Sequence, residues 1–148
     1  MADMMFAGID PGKNGALAII FSSGEAVVFP LYDEAVLPML KQLSTRPHRL
    51  CLEQVHAMPQ QGVSSTFTFG MNYGWIKGVL DAYHISYQEV VPRKWKAEYQ
   101  LNNDKHKSVE VCRKLFPDAD LKPTARSKVD DNNMAEALLM AEYARRKL

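Results

Sequence analysis

The chain has 148 residues, 47% apolar and 24% charged, with a net charge of +1. That predicts one soluble globular domain (residues 1–148) with a core that needs no staples. It excludes a membrane span, because no apolar run approaches the roughly 18–20 residues required, and it excludes a disulfide scaffold, because the two cysteines, Cys51 and Cys112, fall in no metal or redox spacing. Residues 1–6 carry no basic segment leading into a long apolar run, so no secretory signal is expected, and two lone thiols fit a reducing compartment such as the cytoplasm. Charge is uneven: 5 Lys+Arg stand against 8 Asp+Glu up to residue 92, and 13 against 9 from there on. The basic C-terminal part suits a polyanion partner, and solvated helix surfaces explain it as well.

In chain order, strands are expected over residues 6–9, 16–21 and 26–31. The six turn-forming residues Asp10 to Gly15 separate the first two, and Ser22-Ser23-Gly24-Glu25 the next, giving a three-stranded antiparallel meander. Residues 33–43 carry apolar positions at helical spacing, and 49–55 read as a buried strand ending in charge. A polar stretch, 56–65, precedes a helix over 67–83, in which Gly70, Gly74 and Gly78 make one smooth face suited to helix packing, within the subunit or at a dimer interface. A strand over 85–91, a helix opened by Pro92 and running to 99, a helix over 104–115, a loop over 121–129 and a final helix over 131–146 complete the order. Trp75 and Trp95 are expected in the core. The order β-β-β-α-β-α-β-α-α-α predicts an α/β fold, a mixed five-stranded sheet flanked by helices.

Three carboxylates stand out. Asp10 ends an apolar strand directly before a Pro-Gly turn, where it either serves chemistry or bonds the turn backbone. Glu53 breaks the run Leu50-Cys51-Leu52, which costs free energy in a buried strand without a cationic partner, unless the strand has reached solvent. Glu136 lies between Ala135 and Ala137 beside an apolar stripe; Asn133, three residues earlier, offers a capping-box alternative. Adjacent strands would bring Asp10 and Glu53 to one sheet edge, with the last helix carrying Glu136 across it. Clustered carboxylates repel and imply a cation, and all-oxygen ligands favour Mg²⁺ or Mn²⁺. Two such ions are the usual apparatus of phosphodiester hydrolysis.

The segments Ala7-Gly8-Ile9-Asp10-Pro11-Gly12 with Gly15-Ala16-Leu17-Ala18, Leu52-Glu53-Gln54-Val55-His56-Ala57-Met58-Pro59, Gln61-Gly62-Val63-Ser64-Ser65, Phe69-Gly70 with Tyr73-Gly74, Val91-Pro92 to Trp95-Lys96, Lys105 to Pro117, and Ala135 to Ala141 occur in that order. As an ordered set they resemble a bacteriophage-type member of the RuvC family of Holliday-junction resolvases, which have the ribonuclease H-like fold. The resemblance implies a homodimer that nicks two symmetry-related strands of a four-way junction, with two Mg²⁺ ions per site. It implies Asp10, Glu53 and Glu136 as metal ligands and Lys96 and Lys105 near the scissile phosphate. Candidate DNA contacts beside these are Lys13, Ser64, Ser65, Phe67, Phe69, Arg93, Lys94 and Lys107; Phe67 and Phe69 suit stacking on an unpaired base or core packing, and Lys94 and Lys107 a phosphate contact or a solvated helix surface. For a phage-encoded chain the resemblance implies the host cytoplasm.

The fourth ligand departs from the pattern. The family places an acidic residue, or His, about one turn before the Glu136 position, and this chain has Asn132 and Asn133 there. Residues three or four before Glu136 share its helix face. Two alternatives follow: Asp131 (or Asp130) supplies the ligand from the helix N-terminus, or Asn132 stands in place of a catalytic Asp. Branched-DNA or RNA–DNA hybrid cleavage by the same fold, and junction binding without cleavage, remain the competing functions. An ATP-binding fold sharing the Asp-Pro-Gly turn fits poorly in so short a chain.

Overall fold

The computed structural model describes residues 3–102 and 104–148, apart from the side chain of Lys105. The elements are β1 (Met5–Asp10), β2 (Ala16–Ile20), β3 (Ala26–Pro30), α1 (Val36–Leu43), β4 (His48–Glu53), α2 (Val63–Ala82), β5 (Gln88–Val90), α3 (Pro92–Glu98), α4 (Lys105–Leu115) and α5 (Asn132–Lys147). This is the expected order, element for element. The strands form one sheet, β3-β2-β1-β4-β5. The meander β1–β2–β3 is antiparallel, while β4 and β5 run parallel to β1.

Helices cover both faces, and the period-two alternation of the strands divides the core between them. Met5, Ala7 and Ile9 of β1 and Leu50 and Leu52 of β4 pack with Val36, Leu40 and Leu43 of α1 and Ile76 and Leu80 of α2. Ala16, Ala18 and Cys51 face the other way, against Ala137, Leu138 and Ala141 of α5, with Trp95 of α3 and Cys112 of α4 outside them. Helix α5 is thus the central helix of its layer, buried from Met134 to Ala144 except at Glu136. It reaches the sheet over Gly8: a Cβ there would overlap the Ala137 carbonyl oxygen and the Ala141 nitrogen and lie 2.8 Å from the Met140 carbonyl carbon.

Several boundaries differ from expectation. The first helix begins at Val36 rather than 33, because the Asp33 carboxylate accepts the Ala35 N–H (2.8 Å) and closes a turn instead. The second begins at Val63 rather than 67: Gly62 is extended and its carbonyl accepts the Thr66 N–H, so Ser64 and Ser65 lie in the first helical turn. The strand expected over 85–91 shrinks to Gln88–Val90, since His84 (φ 56°) turns the chain out of α2 and Ile85 enters the core.

Candidate active site

Strands β1 and β4 pair in parallel up to Ile9 and Leu52. The next residues are Asp10 and Glu53, and alternation puts both on the face of Gly8 and Cys51, toward α5. The first turns of α5 pass the same strand ends. Asp10, Glu53, Asn132, Asn133 and Glu136 therefore line one cavity of 480 Å³. Its remaining wall comes from Gly12, Lys13 and Asn14 of the β1–β2 turn, Phe69 of α2, Lys96 of α3, and Asn102 and Asp104 before α4.

Each carboxylate has a different local anchor. Asp10 is 8% exposed, and its Oδ1 accepts the Gly12 N–H (3.1 Å), so the turn role and the cavity role coexist in one side chain. Glu53 Oε2 accepts the indole N–H of buried Trp95 (2.9 Å). Glu136 Oε1 accepts from Ser108 Oγ (3.4 Å) and lies 3.9 Å from Lys96 Nζ.

Comparison with protein-family models and with curated proteins finds no match. Solved structures do match. The RuvC structure of Thermus thermophilus covers 97% of this chain and 96% of its own, with a TM-score of 0.58 at 17% identity. A T. thermophilus RuvC in complex with Holliday junction substrate covers 97% of both chains, with a TM-score of 0.57 at 17% identity. The fold is that of RuvC. It is the ribonuclease H-like arrangement expected, and the carboxylates sit at the end of the RuvC-like sheet where its two central parallel strands stop.

Within this RuvC fold the structure brings together seven of the site residues expected from the sequence: Asp10, Lys13, Glu53, Phe69, Lys96, Asn132 and Glu136. Asp131 is placed otherwise. It is the N-cap of α5, and its Oδ1 accepts the N–H groups of Asn133 (2.7 Å) and Met134 (3.1 Å). The capping-box alternative for Glu136 is thereby corrected: Asp131 caps the helix, and Glu136 turns toward the strand ends instead. Asp130 is paired with Arg113 (2.8 Å) and Lys122 (3.1 Å), which pull its carboxyl down to about 2, and it does not line the cavity. Asn132 and Asn133, four and three residues before Glu136, share its helix face and line the cavity with it.

Among the expected DNA contacts, Ser64, Ser65, Phe67, Arg93 and Lys94 are exposed outside the cavity, and Lys107 Nζ donates to the Gln100 carbonyl (2.9 Å). The side chain of Lys105 lies outside the described residues. Trp95 is fully buried as expected, but Trp75 is 46% exposed, a correction: it follows Gly74 on the solvent side of α2. The glycine face packs against nothing within the subunit: a Cβ at Gly70, Gly74 or Gly78 would meet no described atom within 4 Å. Sequence reasoning missed Asn14, Asn102, Asp104 and Asn133 as lining residues and Ser108 as a partner of Glu136. Asn14, Asn102 and Asp104 sit in turns and a helix cap, where polar residues are ordinary, so nothing in the sequence marked them; Asn133, in the first turn of α5, stood out in the sequence only as a capping residue.

The electrostatics follow from burial and crowding. Burial, then the neighbouring charges of Glu53, Glu136 and Asp131, raise Asp10 to about 7 against the opposing Gly12 hydrogen bond. Glu53 is also raised by burial and by Glu136, with the Trp95 hydrogen bond and Lys96 working against the shift. Among the described residues, no three His, Cys, Asp or Glu side chains converge closely enough to hold a metal ion as they stand. The donor chemistry nonetheless fits a hard cation: carboxylate and amide oxygens from three elements around one cavity, short of positive charge.

Proposed function

We propose that the chain is a metal-dependent, structure-selective DNA endonuclease that resolves four-way junctions by paired symmetric nicks. The observation that carries this is the meeting of Asp10, Glu53 and Glu136, from two parallel strands and a crossing helix, at one cavity of a RuvC fold. The matching T. thermophilus structure is bound to a Holliday junction substrate, which supports branched DNA as the partner.

In this reading Asp10, Glu53, Glu136 and Asn132 hold Mg²⁺, two ions per site, with Mn²⁺ a substitute. The bound metal would supply a hydroxide nucleophile and stabilise the charge of the in-line transition state. Lys96, beside Glu136, and Lys13, at the exposed rim, neutralise phosphate charge. Phe69 reaches the turn that carries Asp10: its Cζ would lie 3.8 Å from a Cβ on Gly12, a position suited to stacking on an unpaired base. Homodimerisation supplies the second cut. Its support is the open glycine face of α2, flanked by exposed Phe67 (68%), Met71 (60%) and Trp75 (46%). A cytoplasmic location, that of the host if the chain is phage-encoded, goes with this reading. No helix among the described residues is long and apolar enough to cross a membrane.

One observation favours a second reading. Asn132 lies on the Glu136 face and brings an amide where a carboxylate would add charge, and that describes a junction-binding protein with little or no cleavage. Cleavage of a labelled four-way junction in Mg²⁺ and in Mn²⁺, by this chain and by Asn132→Asp, separates the two. The resolvase reading expects paired symmetric nicks, faster by about tenfold or more in Asn132→Asp because the extra charge tightens metal binding. Tight junction binding by both forms, with cutting by neither, favours the binding module. Preference for a Y-fork or an RNA–DNA hybrid overturns the junction assignment while keeping the nuclease.

A further inference from the structure

Trp95 heads the fully buried side chains of the described residues, and it does more than fill the core. It lies on α3, the seven-residue helix Pro92–Glu98, opened by a proline at its first position. Its Nε1–H donates to Glu53 Oε2 at 2.9 Å. An indole N–H can only donate, and it carries no charge to lose. The bond therefore takes one lone pair of Oε2 at any working pH and orients the carboxylate, whose other lone pairs, those of Oε1 foremost, can serve another partner.

The ordinary account of such a bond is that a buried indole N–H needs an acceptor. Two features go beyond it. The acceptor is a carboxylate on the wall of the cavity rather than a backbone carbonyl of the core. The next residue, Lys96, stands 3.9 Å from Glu136 and 5.6 Å from the Trp95 ring centre. Consecutive helical residues point about 100° apart, so α3 braces Glu53 on β4 and Glu136 on α5 from two directions. The two braces differ in kind. The lysine is a long, partly exposed side chain that can turn to a phosphate, whereas the indole is fixed by complete burial.

We propose that Trp95 is a positioning residue for Glu53: its indole N–H holds one carboxylate oxygen so that the other is presented to a divalent cation. The proposal rests on the metal reading above, and its test can fail separately from that reading. Outer partners that orient metal ligands typically change affinity by about 10- to 100-fold when removed. Trp95→Phe keeps a buried ring and removes only the donor.

Mn²⁺ affinity of the wild type and of Trp95→Phe is measured by electron paramagnetic resonance, and the two indole N–H signals of the wild type are followed by NMR during Mg²⁺ titration. The signals are assigned with Trp75→Phe. The proposal expects weakening of Mn²⁺ binding by about 10- to 100-fold in Trp95→Phe. It expects the Trp95 signal to move with Mg²⁺ while that of Trp75 stays, and to move in metal-free Glu53→Gln. Equal Mn²⁺ affinity in both proteins, or a Trp95 signal indifferent to a bound ion, overturns the positioning role and leaves the metal reading standing. A wild type that binds no divalent ion overturns both. Should Trp95→Phe fail to fold, the wild-type titration decides alone.

Discussion

At Asp10 two opposed demands meet in one side chain. Its Oδ1 accepts the Gly12 N–H that shapes the β1–β2 turn, and its carboxylate shares one cavity with Glu53 and Glu136. Its pKa, raised to about 7, has a definite consequence for stability. The folded state binds this proton more tightly than the unfolded chain does. The resulting stabilisation is complete below about pH 4 and is lost as pH rises through 7. Asp10→Asn keeps the Oδ1 acceptor and removes the charge. In metal-free buffer the variant is expected to melt several degrees above the wild type at pH 8 and level with it near pH 4, as read by thermal unfolding across that range. Equal melting at pH 8 would mean that the charge is relieved in some other way. Saturating Mg²⁺ is expected to close the gap at pH 8 by stabilising the wild type alone. Residue chemistry in the sequence marked Asp10, Glu53 and Glu136, because a carboxylate in an apolar run is costly if the run is buried and nothing compensates the charge. It left Asp131 and Asn132 unresolved, since choosing between them required knowing which residue spends its side chain on the helix cap.

The elements that carry these residues are held by a contact the sequence did not announce. Gly8 lies in mid-strand, and its missing side chain is what lets α5 lie against β1. The backbone of a helix cannot yield as a flexible side chain can. Gly8→Ala is therefore expected to push α5 off the sheet, at a cost of about 1–3 kcal/mol or more in denaturant unfolding. It should weaken Mn²⁺ binding as well, because Glu136 travels with α5. Gly78→Ala makes the opposite case. A Cβ there meets nothing within 4 Å, so the gain of helix propensity, up to about 1 kcal/mol, is expected to appear as added stability of the subunit. Periodicity in the sequence found the elements in order, including the Pro92 helix start. It misjudged Trp75, which stands exposed on α2, and the spacing of Gly70, Gly74 and Gly78 describes a smooth face without saying what lies on it.

At the scale of the whole molecule, the cavity and the open face of α2 belong to one functional question. In the proposed reaction each site cuts one strand, and paired cuts need two sites related by symmetry. Gly74→Arg puts a long cation on the open face, where its Cβ meets nothing within 4 Å. The expected outcome is a folded monomer in sedimentation experiments, with junction nicks that are no longer paired. A Gly74→Arg protein that still sediments as a dimer would place the contact elsewhere, and a wild type that is monomeric would remove the dimer from the reading.

The sequence by itself determined the order of elements, the α/β class and the three carboxylates, because these follow from local spacing and from the cost of burying charge. It also held the resemblance to RuvC in motifs spread along the chain, and the matched fold agrees. Only the tertiary structure decided which polar residues share the cavity, that Asp131 caps α5 while Asn132 faces Glu136, and that Trp95 reaches Glu53 across 42 positions. Those facts depend on how α3 and α5 lie across the ends of β1 and β4, and no local pattern encodes that geometry.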